Sequence, residues 1–340
     1  MKHALVTGAT GFIGHHLVQR LLAQGTVVKC LVRSESRSAD LTQLDVKLVK
    51  GDLVDFKSLA EAVKGVDVVY HLAGLTKSIS KTDLMNVNGQ GARNLSLACS
   101  QSKCPPTLVL VSSLAAAGPT KNGDPRVETD AVNPISNYGR SKRAGELAVI
   151  DLADEVPTTI VRPPIVFGEH DRDGFQWFKM IRQLGIHLTP GLQDYYYSVI
   201  HADDLASALI LAAERGARVD RRSEDNVGIY FAACDEVMTY SDLGRLIGDC
   251  VGRSRTRVLR MPMCVIRGVA LTSDLWSRVR RQPTILNLDK AREAAGGSWV
   301  CSSSKLCSET GFTPSASVEE RLRQTADWYI GKNWPVCKTP

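Results

Sequence analysis

The sequence predicts an α/β fold in which a doubly wound parallel sheet is followed by a smaller mixed α/β lobe. Short apolar runs alternate with longer helical patterns over the first two-thirds of the 340 residues. These runs are continuously apolar, which is typical of strands that helices cover on both faces. After about Pro163, turn-rich stretches break this rhythm. We therefore expect a first domain over residues 1–165 and a C-terminal substrate lobe over residues 166–340, with some elements of the lobe returning to the first domain.

Six strands are expected in the first domain, because six apolar runs are too short to form helices. In chain order they cover residues 4–7, 27–32, 46–49, 66–72, 108–112 and 159–161. The longer stretches between them predict helices at residues 14–23, 59–63, 91–99 and 141–152. In the second lobe, helices are expected at residues 204–213 and 240–251. The apolar segment 264–271 carries Arg267 and could touch a membrane surface, but a buried or substrate-capping helix is the preferred interpretation.

The composition is that of an ordinary globular protein, with 44% hydrophobic and 23% charged residues and a mild net charge of +6. Nine cysteines, an odd number without C-x-x-C spacing, predict neither a disulfide framework nor a metal site. No aromatic residues are interleaved with the two arginine clusters, so we interpret both as solvated faces and expect no nucleic-acid partner. The clusters consist of Arg253, Arg255, Arg257, Arg260 and of Arg278, Arg280, Arg281.

Two further patterns concern location. No apolar run reaches the roughly 18 residues that a spanning helix needs, so we expect no stable membrane insertion. The sequence passes from Met1 straight into the first strand without a basic leader, an apolar stretch and a cleavage site, so secretion is not expected. Scattered cysteines that stay reduced would fit a cytoplasmic location.

Three glycines, Gly8, Gly11 and Gly14, come directly after the first predicted strand and open the first predicted helix. In such a position the first glycine permits a tight turn, and the second lets the backbone approach a pyrophosphate. The third lets the helix pack closely on the strand, while the N–H groups at the helix start attract the anion. This arrangement predicts a Rossmann domain that binds a dinucleotide.

The end of the second strand indicates which dinucleotide is bound. An acidic residue here would hold the 2′-OH of NAD, but this chain has Arg33, with Arg37 close behind. A guanidinium group can pair with a 2′-phosphate, which favours NADP and leaves NAD as the alternative. Asp52, after the third strand, could accept a hydrogen bond from the adenine amino group or could simply lie in a loop or cap a helix.

Tyr138 and Lys142 are four residues apart on a predicted helix and therefore lie one turn above the other. A phenol has an ordinary pKa of about 10, and an ammonium group held one turn away lowers that pKa by favouring the phenolate. The hydroxyl of Ser112 or Ser113 could hold a substrate oxygen while the tyrosine moves its proton. Such a set of groups oxidises alcohols or reduces carbonyls.

Several motifs follow one another in an order that resembles a known family. They are the glycine segment 7–14, His71-Leu-Ala-Gly74, residues 88–94, Val111-Ser-Ser113, Tyr138-x-x-x-Lys142, residues 162–168 and His201-Ala-Asp-Asp204. Over roughly residues 1–215 the chain resembles the extended short-chain dehydrogenase/reductase family, or NAD-dependent epimerase/dehydratase superfamily. That group contains nucleotide-sugar epimerases, dihydroflavonol reductases and 3β-hydroxysteroid dehydrogenases.

The resemblance implies a catalytic triad, a cofactor site and a homodimer. Tyr138 would be the acid/base, Lys142 would bind the nicotinamide ribose, and Ser113 rather than Ser112 would bind the reacting oxygen. Family members that eliminate water carry an acid beside this serine, where this chain has Leu114. The implied cofactor site is lined by Gly8, Thr10, Gly11, Phe12, Ile13, Gly14, Arg33, Asp52, Leu53, Leu72, Ala73, Gly74, Asn88, Tyr138, Lys142, Pro163 and Ile165.

Three functions are therefore considered, and the first is an NAD(P)-dependent oxidoreductase. It would transfer a hydride between nicotinamide C4 and a secondary alcohol or ketone of a small, apolar, steroid-like or flavonol-like substrate. Residues 114–117 and the aromatic residues of 175–178 and 195–197 could line an apolar pocket or could equally pack in the core.

The second is a nucleotide-sugar 4-epimerase with tightly bound NAD, which would need basic groups such as Arg172, Arg182 and the cluster at 253–260 for a pyrophosphate. The third is a non-catalytic regulator that senses NADP(H). Such relatives usually lose the tyrosine or the lysine, and both are present here.

Overall fold

The computed structural model describes residues 2–34, 41–120, 123–223, 225–280, 282–284 and 286–332. Arg37, Arg281 and Cys337 lie outside these ranges. The strands are β1 (His3–Thr7), β2 (Val27–Val32), β3 (Lys47–Lys50), β4 (Val68–His71), β5 (Thr107–Val111), β6 (Thr158–Arg162), β7 (Ile165–Phe167), β8 (Ile186–Pro190), β9 (Tyr196–His201), β10 (Ile229–Phe231), β11 (Val237–Thr239) and β12 (Arg257–Met261).

The helices include those expected from the sequence, within a few residues at their ends, and several that were not predicted. They are α1 (Phe12–Ala23), α2 (Phe56–Ala62), α3 (Lys81–Leu84), α4 (Gly91–Ser100), α5 (Leu114–Ala117), α6 (Asn137–Ile150), α7 (Phe175–Leu184), α8 (Ala202–Arg215), α9 (Tyr240–Cys250), α10 (Met263–Arg280), α11 (Leu288–Ala295), α12 (Ser304–Thr310) and α13 (Val318–Gly331). One π-helical turn, Met85–Gln90, joins α3 to α4.

Seven parallel strands form the main sheet in the order β3-β2-β1-β4-β5-β6-β10. The chain moves outward in one direction from β1 to β3 and then returns to the other side of β1 with β4. This reversal is the switch point of a doubly wound fold, and ligands of such folds bind at the carboxyl ends of the strands beside it. The predicted fold class is therefore confirmed.

Both faces of this sheet are covered by apolar side chains. Ala4 and Val6 of β1 point into one buried cluster, while Leu5 between them points into the other. The same alternation holds along β5, where Val109 and Leu110 enter opposite clusters. Because successive side chains of a strand face opposite ways, a strand that is covered on both sides must be apolar throughout.

The second lobe contains two small sheets and sends one strand back to the first domain. β9 pairs with β7 in parallel and with β11 in antiparallel orientation, and β8 pairs with β12 in parallel orientation. β10 instead joins the edge of the main sheet beside β6. The C-terminal region is therefore mixed α/β, and one of its strands lies in the main sheet.

The structure contradicts part of what was expected for the apolar segment 264–271. It belongs to α10, whose Ile266 and Ala270 are buried, but Val265, Val269 and Leu271 are 42%, 46% and 50% exposed. A buried helix was therefore the wrong alternative: one face of α10 packs on α11 and the other faces outward. In the part of the chain that the structure describes, no helix is long and apolar enough to span a membrane.

Candidate active site

The glycine turn between β1 and α1 is closely packed. Gly8 has a φ of 75°, which residues with a side chain rarely adopt. A Cβ atom on Gly8 would lie 2.7 Å from the backbone nitrogen of Ala73, and one on Gly14 would lie 2.2 Å from the Gly8 carbonyl oxygen. Both contacts are with backbone atoms, which would have to shift to admit a side chain, so both positions favour glycine.

The start of α1 is open to a ligand. The backbone nitrogen of Gly11 donates to the Gly8 carbonyl oxygen at 2.9 Å, and α1 begins at the next residue. Among the described residues no side chain caps this helix, and Thr10 and Gly11 are exposed. The N–H groups of a first helical turn lack partners within the helix and attract anions. The turn and the helix start therefore fit the pyrophosphate of a dinucleotide.

The loops after the neighbouring strands lie at the same edge of the sheet. Arg33 is exposed directly after β2. Asp52 lies in the turn after β3, where its carboxylate accepts from the Val54 backbone nitrogen at 3.2 Å. The side chain that caps α2 is Asp55, not Asp52. Leu53, the next predicted cofactor residue, is buried.

Asn88 holds the loop that follows β4. Its side chain accepts from the backbone nitrogen of Leu75 at 2.8 Å and donates to the carbonyl oxygen of the same residue at 2.9 Å. It also donates to the Ser141 hydroxyl of α6 at 2.8 Å. A Cβ atom on Gly74 would lie 2.8 Å from the Asn88 side-chain oxygen, so the loop at 72–74 is held against this amide.

A buried histidine stiffens the other end of the same loop. His71 Nδ1 lies 2.7 Å from the hydroxyl of Thr7, and that hydroxyl accepts from the Ala73 backbone nitrogen at 3.2 Å. Burial, with a smaller contribution from the charge of Lys142, lowers the pKa of His71 to about 3. His71 is therefore neutral and joins the ends of β1 and β4.

The two serines after β5 have different surroundings. The Ser112 hydroxyl donates to the Glu146 carboxylate at 2.6 Å, and Arg162 holds the same carboxylate at 2.7 and 2.8 Å. All three side chains are buried. Ser113 is half-buried, and its hydroxyl accepts from the Ala115 backbone nitrogen at 3.1 Å. Ser112 is thus engaged in the core, and Ser113 is the serine that faces the site.

Tyr138 lies in the first turn of α6. Burial raises the pKa of Tyr138 above its ordinary value of 10, whereas the charge of Lys290 and a hydrogen bond with Ser113 oppose that rise. The Lys290 ammonium nitrogen lies 5.3 Å from the centre of the tyrosine ring. The phenol therefore contacts a serine hydroxyl and an ammonium group, the two kinds of group that stabilise a phenolate.

The pKa of Tyr138 is raised rather than lowered as expected, and the ammonium group that opposes this rise is not that of Lys142. Lys142 is buried one turn after Tyr138, and its ammonium group donates to the carbonyl oxygen of Val111 at 2.6 Å. Burial lowers the pKa of Lys142 to about 8. The influence on Tyr138 comes instead from Lys290 of α11, because that side chain lies over the phenol ring.

α11 supplies three site residues that were not predicted. The Asp289 carboxylate accepts from the backbone nitrogens of Asn137 and Tyr138 at 2.7 and 2.9 Å. Glu293 accepts from the Ser136 hydroxyl and from Lys290, each at 2.7 Å. Asp289 and Asn137 are 152 residues apart in sequence, and nothing in the local pattern around either one signals the contact.

Apolar side chains surround the tyrosine on its remaining sides. Tyr138 packs against one cluster with the predicted cofactor residue Ile165 and with buried residues of the second lobe. The buried members of this cluster are Leu114, Ala115, Ala117, Tyr197, Phe231, Ala233, Trp299 and Cys301. Pro163, another predicted cofactor residue, accepts from the Leu114 backbone nitrogen at 2.8 Å and fixes the loop after Ser113.

Some of the aromatic residues considered for an apolar pocket lie near Tyr138, and others pack in the core. Tyr195 and Tyr197 belong to the cluster around Tyr138. Phe175 and Phe178 instead make edge-to-face contacts with Tyr329, at 5.0 and 5.2 Å between ring centres. The first pair is therefore close to the site, and the second pair is ordinary core packing.

The basic groups considered for a sugar nucleotide are partly engaged elsewhere. The Arg253 guanidinium donates to backbone carbonyl oxygens of Arg182 and Gln183. Arg260 pairs with Asp194 at 2.5 Å. Both arginines therefore have local partners within the second lobe.

Comparisons with known proteins agree with this geometry. Residues 4–228 match the model of the NAD-dependent epimerase/dehydratase family. The chain is 30% identical over 329 residues to ceramide reductase from Caulobacter vibrioides, covering 97% of this chain and 95% of the relative. It is 29% identical over 239 residues to the decarboxylating sterol-4-alpha-carboxylate 3-dehydrogenase from Dictyostelium discoideum, covering 65% of this chain and 70% of the relative.

A solved structure shares the fold. The dTDP-glucose 4,6-dehydratase DesIV from Streptomyces venezuelae, with NAD bound, superposes with a TM-score of 0.77 over 97% of this chain and 98% of its own. Its sequence identity is 20%, so the likeness concerns the arrangement of the elements alone.

Proposed function

Because the chain belongs to the NAD-dependent epimerase/dehydratase family, and is an NAD(P)-dependent enzyme of the extended short-chain dehydrogenase/reductase type, we propose that it interconverts a secondary alcohol and a ketone on an apolar, lipid-like substrate. Ser113, Tyr138 and Lys142 carry this reaction. The observation on which the proposal depends is that Tyr138 lies beside Ser113 and Lys290 and packs against an apolar cluster.

The chemistry of the relatives supports the substrate class. One relative is named for ceramide and another for a sterol, and both of these are lipids that carry alcohol groups. An apolar wall around the reacting tyrosine favours such a substrate over a sugar, because burying sugar hydroxyls without hydrogen-bond partners is unfavourable. The local engagement of Arg253 and Arg260 also supports this choice over the 4-epimerase.

Each side chain of the proposed site has a separate role in the reaction. When bound, the nicotinamide cofactor supplies or accepts the hydride. Ser113 donates a hydrogen bond to the substrate oxygen and orients it. In the direction of reduction, Tyr138 gives its phenolic proton to that oxygen, and the charge of Lys290 stabilises the phenolate that remains. Lys142, one turn away, binds the nicotinamide ribose once it exchanges its contact with the Val111 carbonyl oxygen.

NADP is the proposed form of the cofactor. Arg33 is exposed at the end of β2, beside the glycine turn of β1 in the same parallel sheet. A guanidinium group at this position suits a 2′-phosphate, with which it can form paired charge-assisted hydrogen bonds.

The test is a substrate panel with purified protein. The panel contains a 3-keto sphingolipid amide, a 3-ketosteroid and UDP-glucose, each supplied with NADPH or NADH, and the reduced cofactor is followed by absorbance. We expect NADPH-dependent reduction of at least one apolar ketone. Epimerisation of UDP-glucose by protein that retains NAD, without reduction of any apolar ketone, would contradict the proposal.

The two serines provide a matched pair for the same assay. Ser113→Ala removes the hydroxyl beside Tyr138, and we expect activity to fall by about 10² or more because the substrate oxygen is no longer held. Ser112→Ala removes a hydrogen bond to Glu146, so we expect lower thermal stability and retained turnover in the folded fraction. The reverse result would show that the serine was assigned incorrectly.

A further inference from the structure

One side of α10 is apolar and faces away from the protein. At 100° per residue, six of its large apolar side chains fall within an arc of about 160° around the helix. Their exposed fractions range from 42% to 76%. We call this surface the α10 outer face, and it consists of Val265, Val269, Leu271, Leu275, Trp276 and Val279. The remaining positions within the arc are Cys264, Gly268 and Thr272, so the arc contains no charge.

The opposite side of α10 has fewer apolar side chains, and these are covered. Ile266 and Ala270 are buried against Ala291 of α11, with Met263 and Leu288 packed around them. A helix on the surface of a globular protein normally has a polar outer side. Single exposed apolar side chains are common, whereas a continuous group of six marks a surface that contacts something else.

Arginines border this apolar arc on both sides. Arg267 and Arg278 lie along one edge, and Arg280 lies along the other. The Arg280 guanidinium is 4.7 Å from the centre of the Trp276 ring, so a cation and an amphipathic aromatic ring are held together at the surface. Apolar side chains bordered by arginine, with tryptophan among them, match the boundary between lipid tails and anionic headgroups.

These arginines make a second copy of this chain an unfavourable partner for the α10 outer face. In a two-fold contact the same surface meets itself, so two antiparallel copies of α10 would bring Arg267 of one helix toward Arg278 of the other, because both lie along the same edge. Like charges in apposition oppose association. Lipid phosphates, by contrast, complement all three arginines.

We propose that the α10 outer face docks on the surface of a membrane that contains anionic lipids, with the helix lying in the plane of the interface. Apolar side chains enter the boundary with the acyl chains while the arginines contact phosphates. An 18-residue helix is about 27 Å long and offers a continuous strip for such contact. This docking is independent of the reaction proposed above.

Docking through α10 would hold the membrane near the site at which a lipid substrate reacts. A groove of ≈ 420 Å³ runs between α10 and α11 and is lined by Arg267, Gly268, Leu271, Leu288, Ala291 and Arg292. On α11, Lys290 lies over the Tyr138 ring and Asp289 holds the start of α6. α11 therefore contacts both α10 and the helix that carries the reacting tyrosine.

Vesicle binding of the full chain tests the proposal. Wild-type protein is sedimented with vesicles of phosphatidylcholine alone and of an equal mixture of phosphatidylcholine and phosphatidylglycerol. The variant W276S/V279S removes two exposed apolar side chains from the outer face. The matched control L184S/L192S removes two leucines that are 67% and 69% exposed elsewhere. Thermal unfolding establishes that all three proteins are folded.

We expect the wild type and L184S/L192S to bind the anionic vesicles, and W276S/V279S to bind roughly tenfold more weakly or worse. Binding should weaken as salt is added, because the arginine contacts are screened. Brominated lipid should quench tryptophan fluorescence in the wild type and less so in W276F, which locates the contact at Trp276.

Three results would overturn the proposal. They are no binding of the wild type to either vesicle, equal binding of W276S/V279S, and salt-independent binding to phosphatidylcholine alone. A dimer in solution that W276S/V279S dissociates would identify a second copy as the occupant and would also overturn it. Reduction of a short-chain, water-soluble ketone does not require docking and should be equal in all variants, which separates this test from that of the reaction.

Discussion

The lysine that lies over the Tyr138 ring is not the lysine of the same helix. Lys142 comes from the same helix and donates to the Val111 carbonyl oxygen, while Lys290 comes from α11 and lies over the ring. Glu293, which pairs with Lys290, raises the tyrosine pKa by its charge and limits the effect of that lysine. The reactivity of the phenol therefore depends on the position of a helix in the second lobe.

Lys290→Met is expected to move the pH dependence of alcohol oxidation. Oxidation needs deprotonated Tyr138, so the rate rises with pH through the pKa of that group. Removing Lys290 takes away a cation that lowers this pKa and leaves Glu293, which raises it, so the rising limb should move to higher pH. The pH profile of kcat/KM measures this directly.

Lys290→Arg is the matched control, because it keeps the positive charge near the ring. Its rising limb should stay close to that of the wild type. A merely structural role for Lys290 would reduce activity at every pH without moving the limb. Equal profiles for Lys290→Met and the wild type would contradict an electrostatic role.

Gly14→Ala tests whether the glycine turn between β1 and α1 holds the cofactor. The added Cβ would lie 2.2 Å from the Gly8 carbonyl oxygen and would push the glycine turn out of shape. We expect NADPH to bind about tenfold or more weakly and the free energy of unfolding to fall by about 1–3 kcal/mol. Fluorescence titration with NADPH and denaturant unfolding measure the two effects.

Gly331→Ala is a suitable control for that change, because a Cβ atom there meets nothing within 4 Å. It should leave both NADPH binding and stability near the wild-type values. Unchanged NADPH binding in Gly14→Ala would mean that this turn does not hold the cofactor.

At the scale of elements, a buried ion pair ties α6 to the main sheet. Glu146 of α6 accepts two hydrogen bonds from Arg162 of β6, and both side chains are almost fully buried. Burial alone would raise the pKa of Glu146, but the charge and hydrogen bonds of Arg162 hold it below its ordinary value. The helix that carries Tyr138 and Lys142 is thus fixed beside β5 and β6.

Arg162→Met should destabilise the fold by about 3–5 kcal/mol at neutral pH, because it leaves a buried carboxylate without its main partner. In the wild type the pKa of Glu146 is depressed, so its stabilisation is present above the unfolded pKa of about 4.3 and is lost as the pH falls through the folded pKa. In the variant, burial without Arg162 raises the pKa of Glu146 above its unfolded value, so protonation of Glu146 then favours the folded state. The difference in stability between the wild type and Arg162→Met should therefore shrink as the pH is lowered toward 4. Denaturant unfolding as a function of pH measures the difference.

Arg245→Met provides the comparison, since Arg245 and Asp242 form an exposed pair with 57% of each side chain accessible. Its removal should cost less than about 1 kcal/mol. A similar, pH-independent loss in both variants would contradict the role given to Glu146 and Arg162.

The elements themselves were largely predictable, but their contacts were not. The continuous apolar runs predicted every strand of the main sheet except β10, which lies in an apolar run at residues 229–234 beyond the part of the chain assigned to that sheet. The glycine turn and the Tyr138–Lys142 pair were predictable because their spacing is local. Asp289 and Lys290 were not, because their partners lie about 150 residues earlier in the chain.

α10 shows a second limit of sequence patterns. An apolar segment indicates that a surface is covered, yet it does not say whether the protein itself covers it. Ile266 and Ala270 are covered by α11, whereas Val265 and Val269, one position before each of them, face outward. Composition alone could not separate these two sets.

For the whole molecule, the parallel sheet brings the separate motifs together. All seven strands run the same way, so the residues that follow them share one edge, and the second lobe covers that edge with α11 and the apolar cluster around Tyr138. Motifs between Gly8 and Pro163 are thereby brought to that edge. The homodimer remains a prediction at this scale.

The most direct measurement is NADPH-dependent ketone reduction by Tyr138→Phe, compared with the wild type and with Tyr196→Phe, which alters a tyrosine that is 48% exposed. We predict that Tyr138→Phe loses a factor of about 10² to 10⁴ in kcat, because the proton donor is gone, and binds NADPH nearly as well as the wild type. Tyr196→Phe should retain full activity. Undiminished turnover by folded Tyr138→Phe would contradict the account.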